Sequence, residues 1–174
     1  ASVPGKGMVT VGKRTLSCRN ILIATGSRIP PIPYPVPEEK VVTPRAFFAD
    51  APFRKAGIES GTPESVAVYG SGPVAVETAE FFRLIGATVE LFLGPEGFMP
   101  GFDERLIGSL KENLTKNGIS LEEDPRALEK RGSKANHDII INCGFRIPVI
   151  PEMKIRPEPD DGFLWVDRRM STSI

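Results

Sequence analysis

The stretch SVAVYGSGPVAVETAEFFRLIGATVELFL, residues 65–93, decides the fold of this chain. The apolar run at 66–68 predicts a strand covered on both faces, as in a parallel sheet with helices on each side. A glycine turn follows, then a helix, and then a second strand over Thr88 to Leu93. This order of strand, turn, helix and strand is typical of a unit that binds a dinucleotide.

The helix in this stretch is predicted to bury one apolar face against the sheet. Apolar residues at spacings of three and four lie on the same side of a helix. The members of this predicted face are Val74, Thr78, Phe81, Phe82 and Ile85. Gly86 stands where a glycine commonly ends a helix, which places the helix end just before the second strand.

The glycine turn carries the chemistry of the unit, because it matches the G-x-G-x-x-G/A pattern. Its residues are Gly70, Ser71, Gly72, Pro73, Val74 and Ala75. Gly70 permits a tight turn, Gly72 lets backbone approach a pyrophosphate, and Ala75 lets helix and strand pack closely. Unpaired N–H groups at the helix start attract phosphate, and Pro73 fits there because it lacks an N–H. The pattern predicts a pyrophosphate site.

The residue that should hold the adenosine ribose is missing from the end of the second strand. NAD sites place an acid there and NADP sites an arginine, whereas this chain has Leu93 and Gly94. Glu90 within the strand and Glu96 in the following loop are the candidate ribose ligands, and each can equally be a solvent-facing acid. No arginine occurs in 86–102, which argues against a clamp for a 2′-phosphate.

The other predicted elements surround this unit. Residues 29–37, rich in proline, predict an extended connector outside the core. Asp103 is predicted to cap a helix that runs to Asn117. Strands are predicted at 8–12, 20–25, 119–123 and 138–142, with one more in 162–174, a short helix or turn at 44–51, and loops at 52–63 and 125–136.

Composition narrows the classes of function. The chain has 22 basic and 22 acidic residues, so no net charge attracts nucleic acid or an anionic membrane. No apolar run is long enough to span a bilayer, and the first residues lack a signal-peptide pattern. Cys18 and Cys143 form no short-spaced pair, which fits a reducing compartment such as cytoplasm or mitochondrial matrix. His137, the single histidine, is expected at the surface, so neither a metal site nor a histidine-based triad is expected.

Several motifs, taken in order, resemble the pyridine nucleotide–disulfide oxidoreductases, a family that includes glutathione reductase and dihydrolipoamide dehydrogenase. The motifs are NILIATGSRIPPIP, PRAFFADAP, GSGPVAVETAEFFRLIGATVELF, GFDERLIGSLKENLTKNGISLEEDP, DIIINCGFRIP and GFLWVDRRMSTSI. The resemblance implies an α/β fold: a three-layer, Rossmann-like domain with a mainly parallel sheet, plus remnants of a split FAD-binding domain. Its implied divisions are an FAD-domain remnant at 1–30, a connector at 31–64, the NAD(P)-binding domain at 65–148 and a return segment at 149–174.

The resemblance also implies roles for individual residues. Gly70, Ser71, Gly72, Pro73 and Val74 would line the pyrophosphate and nicotinamide end of the NAD(P)H site. Glu77 would lie below the nicotinamide and Gly144 beside its ribose. Thr25, Gly26 and Arg146 would touch FAD in the complete protein, whose remaining FAD and dimer-interface domains are the implied partners.

The implied function is hydride transfer from NAD(P)H to flavin in the complete enzyme. The family's first GxGxxG, its redox C-x4-C and its C-terminal domain with a catalytic histidine are absent from these residues. No catalytic residue is therefore expected here, and this chain alone is expected to show no reductase turnover. The alternatives are a degenerate, non-catalytic Rossmann module for partner binding and part of a flavin-dependent NADH oxidase.

One departure from the family bears on the fold. The interval between Ile119 and His137 is too short for most of the family's β-meander in the NAD(P)-binding domain. Losing that meander would expose one face of the sheet. We therefore expect either a partner surface or a changed fold to cover it.

Overall fold

A computed structural model describes residues 1–50, 62–124, 126–131, 137–153 and 163–172. The strands are β1 (Ser2–Gly5), β2 (Met8–Val11), β3 (Arg14–Ser17), β4 (Ser27–Arg28), β5 (Val41–Val42), β6 (Ser65–Tyr69), β7 (Thr88–Phe92), β8 (Ile119–Glu122), β9 (Ile139–Asn142), β10 (Ile147–Pro148) and β11 (Glu152–Met153). The helices are α1 (Pro44–Asp50), α2 (Pro73–Leu84), α3 (Glu104–Lys116) and α4 (Ala127–Arg131). The chain divides into two compact units, unit 1 with Ala1–Arg28 and Arg146–Ile174, and unit 2 with Ile29–Phe145.

Unit 2 is built on a five-stranded sheet in the order β5-β9-β6-β7-β8. Every pair in this sheet is parallel, including β6 with β7 and β6 with β9. The chain leaves β6 toward β7 and β8 on one side and later returns to place β9 on the other. The order therefore reverses between β6 and β9, where doubly wound sheets bind their ligands. The predicted α/β class and parallel sheet are confirmed.

The first face of this sheet is covered by α1, α2 and α3. Val66, Val68 and Leu91 of the central strands are fully buried against Phe82 of α2 and Leu114 of α3. Fully burying a side chain of this size contributes about 1.5–3 kcal/mol. Phe47 of α1 joins this core, with its ring centroid 4.8 Å from that of Phe82.

The buried face of α2 differs from the predicted one. Ala75, Val76 and Ala79 are buried together with Thr78 and Phe82, which were both predicted. Val74 is 52% exposed, and Phe81 and Ile85 are each 37% exposed, so those three predictions were wrong. The prediction followed the larger apolar side chains, whereas close approach of helix and sheet favours the small alanines.

The predicted ends of the helices are confirmed. Gly86 and Gly118 have φ values of 101° and 81°, the left-handed conformation that glycine adopts without a steric penalty after a helix. Asp103 caps α3, because its side chain accepts a 2.9 Å hydrogen bond from the Arg105 N–H. The chain therefore turns sharply from α2 into β7 and from α3 into β8.

The second face of the sheet is covered by segments that the sequence analysis placed outside the core. Ile32 of the proline-rich segment is buried, with Tyr34 and Val36 packed beside it, so the prediction of a connector outside the core was wrong there. Leu128 of α4 is buried in the same cluster, although 125–136 was predicted to be loop. This packing covers the face that the missing meander would have left open.

Unit 1 consists of a four-stranded sheet in the order β11-β1-β2-β3 and a two-stranded ribbon of β4 and β10. The strand predicted at 8–12 is confirmed as β2. The buried strand predicted at 20–25 was wrong, since Leu22 is 89% exposed and no described residue pairs with that run. An apolar run becomes a buried strand only where neighbouring strands bond to it. The strand predicted in 162–174 is reduced to an isolated bridge at Leu164.

Gly70 lies where the chain comes close to Cys143, just beyond the ends of β6 and β9. Its φ is 147°, and a Cβ atom at this position would lie 2.4 Å from the carbonyl oxygen of Cys143. The Cys143 N–H donates a 2.7 Å hydrogen bond to the Tyr69 carbonyl, and the Gly70 N–H donates one of 2.9 Å to the Phe92 carbonyl. Gly70 is therefore held between both neighbouring strands, with no room for a side chain.

Replacing Gly70 with alanine is expected to lower the free energy of unfolding by more than ~2 kcal/mol, because the new Cβ meets backbone and the φ is unfavourable. Gly108→Ala is the control, since a Cβ on Gly108 in the middle of α3 meets open space. That control should raise the free energy of unfolding by about 0.5–1 kcal/mol. Urea unfolding measures both changes, and equal stability of the two variants would contradict this account.

Candidate functional site

The start of α2 faces open space at the carboxyl end of β6. Gly72 is the N-cap of α2 with φ −97°, and Pro73 follows as the first helical residue. A Cβ atom on Gly72 would have no heavy atom within 4 Å, in contrast to Gly70. The first turn of α2 carries no acidic residue, and no side chain caps it. The first N–H groups of a helix have no partner within it, so this end can hold an anion.

Ser71 fixes the glycine turn through hydrogen bonds to the loop after β7. Its side chain is 2% exposed, and its hydroxyl accepts a 2.8 Å hydrogen bond from the Gly94 N–H. Its carbonyl accepts a second bond, of 2.7 Å, from the Met99 N–H. Ser71 therefore ties the turn to both ends of the loop that follows β7. In this bond the Ser71 hydroxyl is only an acceptor, so its own O–H stays available as a donor, although the side chain is buried.

Gly144 lies at the end of β9, next to the end of β6. Its N–H donates a 3.0 Å hydrogen bond to the side-chain oxygen of Asn142, whose amide nitrogen donates one of 2.9 Å to the Pro30 carbonyl. A Cβ on Gly144 would lie 3.0 Å from Asn142 Oδ1 and 3.5 Å from the ring of Tyr69. The structure thus brings Gly144 and the glycine turn to the same edge of the sheet, at the reversal of strand order.

The remaining predicted residues of this site lie along the exposed side of α2. Pro73, Val74 and Glu77 are all exposed. Glu77 lies one turn into the helix from Val74, on the same side. The structure therefore leaves the carboxylate of Glu77 accessible to a bound molecule.

Glu90 has a different role from the one considered for it. Its carboxylate Oε2 lies 3.1 Å from Nε2 of His137, which is 8% exposed. The expectation of a surface histidine was therefore wrong. The ring of His137 also meets that of Phe92 edge-on, with centroids 5.9 Å apart. Glu90 lies inside β7, and its carboxylate contacts His137 rather than the space at the end of the strand.

Glu96 is placed by the loop after β7. A Cβ atom on Gly94 would lie 2.6 Å from Oε2 and 2.8 Å from Oε1 of Glu96, so the carboxylate occupies the space of a side chain at residue 94. The Gly97 N–H donates a 3.2 Å hydrogen bond to the Gly94 carbonyl, which closes a tight turn. Burial, together with the neighbouring Tyr34 and Glu96, raises the pKa of Tyr69 to about 12. A carboxylate therefore stands at the end of β7, near the Tyr69 ring.

Thr25, Gly26 and Arg146 come together in unit 1. The Thr25 hydroxyl donates to the Val149 carbonyl, and the Val149 N–H donates a 2.9 Å bond to the Gly26 carbonyl. The Arg146 guanidinium donates to the hydroxyl and the carbonyl of Ser27, at 2.8 and 2.6 Å. These groups hold the ribbon of β4 and β10 together.

Two other features were considered for the described residues, a metal-binding cluster and a membrane-spanning helix. No group of three or more His, Cys, Asp and Glu side chains in this part of the chain could hold a metal ion. No helix of the described ranges is long and apolar enough to cross a membrane. The candidate site remains the edge of the sheet around Gly70 and Gly72.

Sequence reasoning missed the residues that support this site. Asn142 orients Gly144, the Cys143 carbonyl packs on Gly70, and Met99 bonds to Ser71 from a left-handed backbone with φ 49°. Two of these contacts, Cys143 with Gly70 and Met99 with Ser71, join residues far apart in the chain. No local sequence pattern predicts these two contacts, whereas the Asn142–Gly144 bond spans only two residues.

Cys143 provides a chemical probe of the packing beneath the turn. Its thiol donates a 3.6 Å hydrogen bond to the Thr78 hydroxyl, and burial raises its pKa to about 11. At pH 8 the folded chain should therefore react with iodoacetamide at Cys143 about 100-fold more slowly than the urea-unfolded chain. Mass spectrometry of the labelled peptides measures this, with the half-buried Cys18 as an internal reference. Equal rates at Cys143 in both states would contradict the burial.

The chain was compared with known proteins. A model of the family described as "Pyridine nucleotide-disulphide oxidoreductase" matches residues 1–149. The soluble pyridine nucleotide transhydrogenase of Hahella chejuensis is 28% identical over 91% of this chain and 30% of its own length. The glutathione reductase of Burkholderia cepacia is 34% identical over 70% of this chain and 25% of its own length. The mitochondrial dihydrolipoyl dehydrogenase of Mesocricetus auratus is 27% identical over 86% of this chain and 32% of its own length.

Solved structures share the fold. The HOCl-induced flavoprotein disulfide reductase RclA from Escherichia coli, in its Cu(II) complex, matches 99% of this chain and 41% of its own with a TM-score of 0.77 and 18% identity. The water-forming NADH oxidase from Lactobacillus brevis matches 92% of this chain and 38% of its own, with a TM-score of 0.69 and 19% identity. The chain spans between 25% and 32% of the length of the three relatives above. By its match over 149 residues, the chain belongs to the pyridine nucleotide-disulphide oxidoreductase family.

Proposed function

We propose that this chain is the NAD(P)H-binding part of an FAD-dependent pyridine nucleotide-disulfide oxidoreductase. The observation that carries the proposal is the open space over Gly72 at the start of α2, at the reversal of strand order between β6 and β9. A pyrophosphate needs close approach to backbone and no competing acid, and this end of α2 supplies both. Pro73 has no N–H and the Ala75 N–H donates to the Gly72 carbonyl, so the proposed donor of the first turn is the Val74 N–H. The names of the relatives, which include a pyridine nucleotide transhydrogenase and a glutathione reductase, support the same chemistry.

In the proposed complex, each part of the site has one task. The first turn of α2 would bind the pyrophosphate through the Val74 N–H, and Gly70 and Ser71 would hold that turn in place. The ribose next to the nicotinamide would lie along Gly144, and Glu77 would align the nicotinamide ring. The bound cofactor supplies a hydride, which in the complete protein passes to FAD.

The complete protein supplies what this chain lacks. We propose that its other domains complete the flavin site, in which Thr25, Gly26 and Arg146 take part, and provide the group that passes electrons to the acceptor. We propose that this acceptor is a disulfide. The chain alone is proposed to bind nucleotide without turning it over.

The proposal is tested by titrating the 174-residue chain with NADH and NADPH in a calorimeter. Saturable binding of at least one nucleotide is expected. No saturable binding of either at millimolar concentration would overturn the proposal and favour a degenerate Rossmann module. Disulfide-dependent oxidation of NAD(P)H by this chain alone would overturn the proposed lack of turnover.

Gly72→Asp is the variant that tests where the nucleotide binds. Aspartate is a favourable N-cap, so α2 should be as stable as before, while the new carboxylate repels the pyrophosphate. Affinity for the nucleotide should fall at least about tenfold, with an unchanged or higher melting temperature.

Gly108→Asp is the matched control, since it adds the same charge at an exposed position of α3 that also faces open space. Its affinity should equal that of the parent chain. Binding to the Gly72→Asp variant as tight as to the parent would show that the pyrophosphate does not lie at α2.

A further inference from the structure

We propose that Glu96 takes the place of the missing strand-end acid, holds the hydroxyl groups of the adenosine ribose and makes this chain select NADH over NADPH. The inference rests on the proposed function, because it concerns the other end of the same dinucleotide. It answers the question left by Leu93 and Gly94, neither of which can bind a ribose hydroxyl through its side chain.

The first argument is the position of the carboxylate. Both oxygens of Glu96 lie within 2.8 Å of where a Cβ of residue 94 would be. Gly94 is the second residue after Phe92, with which β7 ends, and this is where a dinucleotide fold presents its ribose ligand. Because Gly94 has no side chain, the Glu96 carboxylate fills the space in which an acid at the strand end would lie.

The second argument is that the loop holding Glu96 is anchored at both sides. The Gly94 N–H bonds to the Ser71 hydroxyl before Glu96, and the Met99 N–H bonds to the Ser71 carbonyl after it. Phe98 and Met99 are also buried, so the loop packs into the core immediately after the turn. Ser71, a residue of the glycine turn, therefore holds the loop that carries Glu96 in a fixed position relative to that turn.

The third argument is that the other acid is engaged elsewhere. Glu90 lies 3.1 Å from His137, inside the strand, so it does not compete for the ribose. The segment 86–102 contains no arginine or lysine that could neutralise a 2′-phosphate. A 2′-phosphate next to the Glu96 carboxylate would meet like charge, whereas ribose hydroxyls can donate hydrogen bonds to it.

The test is the ratio of NADPH to NADH dissociation constants, measured by calorimetry on the 174-residue chain. The parent should bind NADH at least about tenfold more tightly than NADPH. Glu96→Gln should weaken NADH binding about tenfold and bring the ratio close to one, because it removes the charge and keeps the shape.

A second variant moves the carboxylate without removing it. Gly94→Ala places a methyl group in the space that the Glu96 carboxylate occupies, and the clash is with a flexible side-chain end. The fold should therefore be preserved, and the ratio should fall in the same direction as in Glu96→Gln. Glu112→Gln is the control, since it removes one exposed carboxylate on α3 and should leave the ratio unchanged.

The outcomes separate the two proposals. Equal or tighter binding of NADPH by the parent, or an unchanged ratio in Glu96→Gln, would overturn the role of Glu96 and leave the proposed function standing. Absence of binding of both nucleotides would overturn the proposed function, and this inference with it.

Discussion

The close approach of β6 and β9 at Gly70 is the constraint on which the site depends. The Cys143 carbonyl occupies the space where any other residue at position 70 would carry its side chain. That contact fixes where the chain leaves the sheet, and so where α2 begins. Ser71 follows immediately and bonds to the loop after β7 through both its hydroxyl and its carbonyl. Gly70 and Ser71 thus fix the start of α2 relative to the ends of β6, β7 and β9.

Much of unit 2 could be predicted from the sequence, because its signals are local. The strand over 66–68, the helix ends at Gly86 and Gly118, and the cap at Asp103 all follow from patterns within a few residues. The glycine turn is of the same kind. The structure, unlike the sequence, distinguishes its two glycines. A side chain on Gly70 would clash with the Cys143 carbonyl, whereas the space over Gly72 is open.

The errors arose where neighbours decide the outcome. The run at 20–25 is as apolar as the run at 138–142, yet only the second has strands to pair with among the described residues. The exposed Leu22 and the buried His137 show the same dependence on surroundings. The carboxylate of Glu96 could not be placed from the sequence, because its position depends on Gly94 having no side chain and on the loop being tied to Ser71.

The division of the chain into units has a consequence for the order of folding. Unit 2 is a single continuous stretch, whereas unit 1 is assembled from the beginning and the end of these residues. During synthesis, the parallel sheet of unit 2 can close before β10 and β11 have left the ribosome. The parallel partner of β1 and the antiparallel partner of β4 arrive only afterwards. The hairpins of β1, β2 and β3 therefore gain β11, the partner of β1, only after all of unit 2 has been synthesised.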